Sequence, residues 1–176
     1  MTDDRQQPVE SPFHNRSLAK EVAQAADLSG KTVIITGGYS GIGLETTRAL
    51  SGAGARVIVT IRNPEKAQSA LDGLPVETVT LDLMEPDSVK LGADAIRGLA
   101  PDGIDILINN AGVMATPLRR NSKGWESQFA TNQLGHFALF AHLSDLLLKR
   151  PGARVVALSS LAHRISDVNL EDWNWE

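Results

Sequence analysis

Five runs of apolar and β-branched residues recur along the chain: Lys31–Thr36, Arg56–Ile61, Val76–Leu81, Ile104–Ile108 and Arg154–Leu158. Between them lie segments with helix signals. Ile42–Gly52 is closed by Gly52 and Gly54, glycines being common just past a helix end. Pro64 suits a first helical position, and Glu65–Leu71 continues it. Glu85-Pro86-Asp87 opens a helix to about Arg97, with carboxylates where the helix dipole favours them. Lys123–Leu148 carries apolar residues at helical spacing, Leu143, Leu146 and Leu147 on one broad stripe, until Pro151-Gly152 breaks it. Mostly apolar strands alternating with helices imply a parallel sheet covered on both faces. With right-handed crossovers, the expected fold is α/β: a doubly wound parallel Rossmann-type sheet.

The pattern also divides the chain. Residues 1–27 read as an N-terminal arm. Its first sixteen positions are polar, with Pro8 and Pro12, and Ser17–Ala26 reads either as a short helix on the domain edge or as a frayed tail. Residues 28–176 read as one dinucleotide-binding domain, a length that suits a single core.

Composition narrows the function. The net charge of −4 leaves no basic surface for a nucleic-acid backbone, so no nucleic-acid partner is expected. Cysteine is absent, and His14, His136, His142 and His163 lack the spacing of a metal pair, so no metal site is expected. The acidic start, Met1-Thr2-Asp3-Asp4, does not resemble a signal peptide. The longest apolar stretch, Phe137–Leu148, is interrupted by His142, Ser144 and Asp145, so no membrane span is expected and the location read from the sequence is cytoplasmic.

The strongest chemical signal is Thr36-Gly37-Gly38-Tyr39-Ser40-Gly41-Ile42-Gly43, which joins the first strand to the first long helix. Glycines allow backbone angles and approaches that a Cβ blocks, and the helix start offers unpaired N–H groups to a phosphate. The spacing is Gly-x-x-x-Gly-x-Gly at Gly37, Gly41 and Gly43, and the turn stands between strand and helix as a nucleotide site requires. At the end of the second strand, Thr60-Ile61-Arg62-Asn63 holds no acid to receive a ribose 2′-hydroxyl. It holds Arg62, whose guanidinium pairs with a 2′-phosphate, so NADP(H) is favoured over NAD(H). Asp82 after the third strand and Asn109-Asn110-Ala111-Gly112 after the fourth stand where strand ends meet a ligand crevice. Turn formation is the alternative role for both.

These motifs, with Asp82-Leu83, Thr131-Asn132-Gln133-Leu134-Gly135-His136-Phe137 and Val155-Val156-Ala157-Leu158-Ser159-Ser160, occur in an order that resembles the short-chain dehydrogenase/reductase family. Ser159-Ser160-Leu161-Ala162-His163 is similar to the subgroup of retinol dehydrogenases, WW-domain oxidoreductase and protochlorophyllide reductase. The resemblance covers about residues 28–176. It implies hydride transfer between a small-molecule alcohol and a carbonyl. It also implies that Gly37, Tyr39, Ser40, Gly41, Ile42 and Gly43 hold the pyrophosphate. Arg62 then meets the 2′-phosphate, Asp82 the adenine, and Asn110, Ala111 and Gly112 the adenosine side, with Leu83 also among the cofactor-binding residues. Asn132 matches the family's active-site Asn, which kinks its helix and holds a relay water; Ser160 matches the Ser that bonds the substrate oxygen. Without the resemblance, Asn132 reads as a mid-helix polar residue and Ser160 as a strand-end residue.

The family's chemistry also needs Tyr-x-x-x-Lys after that Ser, where a Lys⁺ lowers the Tyr pKa. This sequence has one Tyr, Tyr39 in the glycine turn, and no Lys after Lys149. The expected fold therefore lacks its last strands and helices, and the sheet flank by the fifth strand is expected to lie bare, with Trp173 and Trp175 either folding back over it or trailing. The long 123–149 helix helps form dimers in relatives, which leaves a homo-oligomer open. A non-catalytic dinucleotide sensor on the same fold is the alternative to an oxidoreductase. A methyltransferase is disfavoured by the missing acid after the second strand.

Overall fold

Three consecutive apolar residues, Val33, Ile34 and Ile35, set the position of the first strand, β1 (Thr32–Thr36), whose five residues are all buried. Successive side chains point to opposite faces, so such a run is stable only at the centre of a sheet covered twice. The computed structural model, which describes residues 10–164, 169 and 171–176, places it there. The other strands are β2 (Arg56–Ile61), β3 (Val76–Thr80), β4 (Ile106–Asn109) and β5 (Arg154–Ala157), and the parallel sheet runs β3-β2-β1-β4-β5. Val33 pairs with Val57 on one side and Ile106 on the other.

The two sides of each central strand feed separate cores. Val33, Ile35, Val57, Val59 and Ile108 pack with Leu44 and Leu50 of α2 (Gly41–Gly52) and with Ala67 and Leu71 of α3 (Pro64–Leu71). Ile34, Ile58, Val79 and Leu107 face Val89, Ala93 and Ile96 of α4 (Pro86–Leu99) and Leu139, Leu143 and Leu146 of α6 (His136–Leu148). Each fully buried Ile or Leu contributes about 1.5–3 kcal/mol, so these two layers carry most of the fold's driving force. At the sheet end away from the glycine turn, Asp105 accepts the Thr32 N–H and the Lys31 ammonium, each at 3.0 Å, and ties β1 to β4.

The arm contains a helix, α1 (Ala19–Gln24), packed against α2. The Glu21 carboxylate accepts the Leu18 N–H at 3.0 Å, which closes its first turn. Residues 1–9, the start of the polar arm read from the sequence, lie outside the described part of the structure.

The continuous helix expected over 123–148 is divided. Asn121 Oδ1 accepts the N–H groups of both Lys123 and Trp125 at 2.9 Å, folding 121–125 into a turn. Helix begins only at α5 (Ser127–Phe129), capped by the buried Glu126 carboxylate on the N–H groups of Gln128 and Phe129, each at 2.8 Å. A π-helical segment, Ala130–Gly135, then joins α5 to α6. The fourth strand starts at Ile106 rather than Ile104, because the Ile104 N–H donates to Leu146 O of α6.

The flank expected to be bare is bare. Arg154–Ala157 are all exposed, and Phe137 and Phe140 of α6 are exposed as well. Trp173 folds back, but onto Phe129, with ring centroids 5.4 Å apart, and not over β5. Arg120 holds that tail by donating to the carbonyls of Asn174 and Trp175 at 2.7 and 2.8 Å. Among the described residues no helix is long and apolar enough to cross a membrane.

Some helical glycines serve no packing purpose. Gly98 of α4 is exposed, and a Cβ there meets nothing within 4 Å. Gly98→Ala is expected to raise stability by about 0.5–1 kcal/mol through lost unfolded-state freedom. At this chain length that is a rise of about 1–4 °C in Tm, read by thermal denaturation.

Candidate functional site

The order of strands reverses between β1 and β4, and ligands of open α/β sheets bind outside the strand ends at such a point. A cleft of about 350 Å³ opens there. Its walls come from the ends of four strands and the turns that follow them. Gly37, Tyr39, Ser40, Ile42 and Gly43 follow β1, Thr60 and Arg62 lie at the end of β2 with Lys66 in the first turn of α3, and Leu81, Asp82 and Leu83 follow β3. Asn110, Ala111, Gly112 and Val113 follow β4, and Thr131 and Leu158 complete it.

The glycine turn is shaped by contact as well as by angle. Gly37 has φ +64°, and a Cβ there would lie 3.0 Å from the Ala111 Cβ. A Cβ on Gly43 would come within 2.5 Å of both Asn110 Nδ2 and Gly37 O. The first turn of α2 is thus pressed against the stretch after β4, and its N–H groups lack intrahelical carbonyls. Ser40, at the N-cap, makes no side-chain bond to them. Tyr39 is half-buried and packs against the β1–β2 core, which fixes it as a loop anchor.

Thr36, at the end of β1, is the hub beneath this turn. Its hydroxyl accepts the N–H groups of Asn110 and Ala111, each at 2.9 Å, and Asn110 Nδ2 donates to Thr36 O at 2.8 Å. On the same hydroxyl lies His136 Nε2, at 2.8 Å, while His136 Nδ1 meets Asn132 O at 3.0 Å. Burial holds the His136 pKa below the ordinary imidazole value, and the bond to the Asn132 carbonyl opposes this only in part.

Asn132 stands inside the π-helical segment, so its helix is widened where a kink is expected. Its side chain grips the backbone of Val113: Oδ1 accepts the Val113 N–H at 2.9 Å and Nδ2 donates to Val113 O at 2.8 Å. Asn132 itself does not line the cleft; its neighbour Thr131 and its partner Val113 do. Ser160 is exposed, two residues beyond the cleft residue Leu158. Gly41 lines no wall, but its φ of +53° lets the chain enter α2. Asp82 lines the cleft and also forms a turn, its Oδ1 accepting the Met84 N–H at 2.9 Å.

Arg62 stands at the cleft mouth, and sequence reading missed its neighbour there, Lys66. Asn63 Oδ1 caps α3 by accepting the Lys66 N–H at 2.9 Å. That cap signal, with Pro64 after it, fixes the helix phase that carries Lys66 to the mouth. The cleft lining holds these two cations at the end of β2 and one carboxylate, Asp82, at the end of β3.

The sequence profile described as short chain dehydrogenase matches residues 31–170. The chain belongs to the short-chain dehydrogenase family. Among relatives, a "Probable oxidoreductase" of Streptomyces antibioticus is 44% identical over 154 residues, covering 83% of this chain and 50% of its own. "Retinol dehydrogenase 13" of Homo sapiens is 39% identical, covering 86% and 47%, and "WW domain-containing oxidoreductase" of Gallus gallus is 37% identical, covering 92% and 40%. Among solved structures, an uncharacterized protein from Mycobacterium Paratuberculosis superposes with TM-score 0.75 at 41% identity, over 85% of this chain and 53% of that one. A metagenomic short-chain oxidoreductase in complex with NADP superposes with TM-score 0.66 at 28% identity, over 78% and 64%. The chain spans about half the length of the curated relatives it matches.

The doubly wound parallel sheet read from the pattern is the fold shared with these relatives.

Proposed function

We propose that the cleft binds NADP(H), as the cofactor half of an oxidoreductase that moves hydride between an alcohol and a carbonyl. The observation that carries the choice of dinucleotide is the pair Arg62 and Lys66 at the end of β2, with no carboxylate in the cleft wall there. A 2′-phosphate carries charge that two cations attract and a carboxylate repels. The close approaches at Gly37 and Gly43, where a Cβ would strike Ala111, Asn110 and the Gly37 carbonyl, hold the first turn of α2 and its N–H groups at the cleft, and the cleft volume is that of a small-molecule site. When bound, the nicotinamide supplies the hydride. The residues of this chain bind and orient it: Ser40, Ile42 and Gly43 at the phosphates, Asp82 and Leu83 at the adenine, and Asn110, Ala111 and Gly112 at the adenosine side. Asn132 and Ser160 take the catalytic-side roles that the family pattern gives them.

Wild-type chain should bind NADPH more tightly than NADH in calorimetric titrations. Arg62→Ala should weaken NADPH about 10- to 100-fold and leave NADH unchanged, the loss of one charge-assisted contact. An unchanged preference would remove Arg62 from the site and leave Lys66 to be tested alone.

Tyr39 is packed in the glycine turn and holds the loop. A second reading of the same cleft makes this chain a sensor that binds the dinucleotide without reacting. In either case the 176-residue chain is expected to bind NADPH without oxidising it when offered aldehydes or ketones. A spectrophotometric trace at the nicotinamide band that falls with added carbonyl substrate overturns that expectation.

A further inference from the structure

One buried imidazole joins both halves of the site, and its hydrogen positions follow from its partners. His136 is 6% exposed. Asn132 O, 3.0 Å from Nδ1, is a carbonyl and accepts only, so Nδ1 carries the hydrogen. Nε2 is then bare, and the Thr36 hydroxyl, 2.8 Å away, donates to it. That hydroxyl has two lone pairs, and the Asn110 and Ala111 N–H groups occupy both at 2.9 Å. The alternative acceptor for its hydrogen, Ile108 O, is distant at 3.5 Å. Every donor and acceptor in the chain from Asn132 to Ala111 therefore has one assignment.

We propose that His136 is a positioning residue that fixes the glycine-turn wall of the cleft and the Asn132 carbonyl of the π-helical segment as one unit. The inference rests on the reading that this cleft takes the dinucleotide. Through Thr36 the ring orders Gly37, Asn110 and Ala111; through its other nitrogen it holds the widened turn whose Thr131 completes the wall. No charged partner is needed for this. On α4, Lys90 pairs with Asp94, and Arg97 with Asp145 of α6; at the far end of β1 and β4, Lys31 pairs with Asp105. Beside Leu83, Asp82 accepts the Met84 N–H and Glu85 accepts the Ser122 N–H, and His142 of α6 is exposed.

The network admits only the neutral ring. A second hydrogen, on Nε2, would point at a hydroxyl oxygen that already accepts two N–H groups, and would turn its hydrogen toward the distant Ile108 O. Burial also disfavours the cation. The sign follows. Above about pH 6.5 folded and unfolded rings are both neutral and nothing is lost. As pH falls below that value the unfolded chain takes up the proton and the fold resists it, so stability declines. Affinity for the dinucleotide declines as the folded ring itself protonates.

The test uses the full 176-residue chain labelled with ¹⁵N. Long-range imidazole spectra from pH 8 to 5 should show His136 as the Nδ1–H tautomer, with the Asn110 and Ala111 amide signals moving on its titration. Two variants then divide its bonds in NADPH titrations. His136→Gln places an amide oxygen near the Nε2 position and keeps an acceptor for Thr36, so most of the affinity is retained. His136→Asn reaches only the Asn132 carbonyl and should lose affinity roughly fivefold to tenfold, the worth of one buried hydrogen bond. Both should flatten the fall in affinity on acidification. An Nε2–H tautomer, or a titration that leaves Asn110 and Ala111 unmoved, overturns the proposal, as do two variants with wild-type affinity and pH profile. If wild-type chain shows the tautomer and the coupled amides but binds no NADPH, the cofactor reading fails and the coupling within the fold stands.

Discussion

Gly43→Ala is expected to reduce NADPH affinity at least 100-fold, the loss of about two charge-assisted contacts to phosphate. The added methyl would stand 2.5 Å from both Gly37 O and Asn110 Nδ2. Neither neighbour is free to move. Gly37 sits at φ +64° against Ala111, and Asn110 Nδ2 is bonded to Thr36 O at 2.8 Å. The first turn of α2 must therefore lift away from the stretch after β4, and the N–H groups offered to the phosphates lift with it. Global stability should change far less. Ala gains about 1 kcal/mol of helix propensity over Gly, against an overpacking cost of about 1–3 kcal/mol. Affinity and stability are thus expected to separate, which calorimetric titration and thermal melting of one preparation will read together. Gly52→Ala is the control: it lies in the same helix, a Cβ there meets nothing within 4 Å, and it should leave affinity intact. Unchanged affinity in Gly43→Ala would show that the close approach of α2 to Gly37 is no part of the phosphate site.

The glycines show why so much of this cleft could be read before any coordinates. A positive φ at Gly37 and Gly41 and a backbone approach at Gly43 each demand one residue type, so the geometry leaves its mark at a single position. The two central strands β1 and β2 were legible for a similar reason: burial on both faces removes polar residues, and Val33-Ile34-Ile35 states that directly. Arg62, which lines the cleft, was legible because it stands at the end of a strand whose last residues hold no acid. Lys66 was not, since a lysine in the first turns of a surface helix looks the same whether or not a ligand lies beyond it.

Apolar spacing gives no sign of the π-helical segment, which passes for α-helix; only the resemblance at Asn132 implied a kink there. The bond that ties its end to the sheet joins His136 to Thr36, 100 positions apart. Pairings of that kind depend on which strand ends meet, and no local pattern carries them. The late helix start did have a signal. Asn121-Ser122-Lys123-Gly124 is turn chemistry, and Glu126 is a carboxylate at a helix start, but the apolar stripe through the same segment outweighed both.

Gly135→Ala should be the most disruptive single change on the catalytic side. Gly135 ends the π-helical segment and is buried. A Cβ there would collide with Leu83 O and lie 2.9 Å from the Leu83 carbonyl carbon and Cβ. The contact is backbone against backbone, so no rotamer change relieves it. Leu83 follows the Asp82 turn and lines the cleft, and Gly135 precedes His136, which holds Thr36. A methyl at this one point therefore drives the Asp82–Leu83 wall away from the segment that carries Asn132. Overpacking of this kind costs about 1–3 kcal/mol, or a fall of roughly 3–10 °C in Tm for a chain of this length. Affinity for NADPH should fall with it, because Leu83 and Thr131 belong to one wall. The distinguishing measurement is the Val113 amide, clamped by Asn132 at 2.9 Å. In amide exchange its protection should drop more than that of Ile34 in β1, since the shift begins at the π-helical segment and not in the sheet. Equal loss at both positions would mean that Gly135 supports the core as a whole, with no particular tie to the cleft.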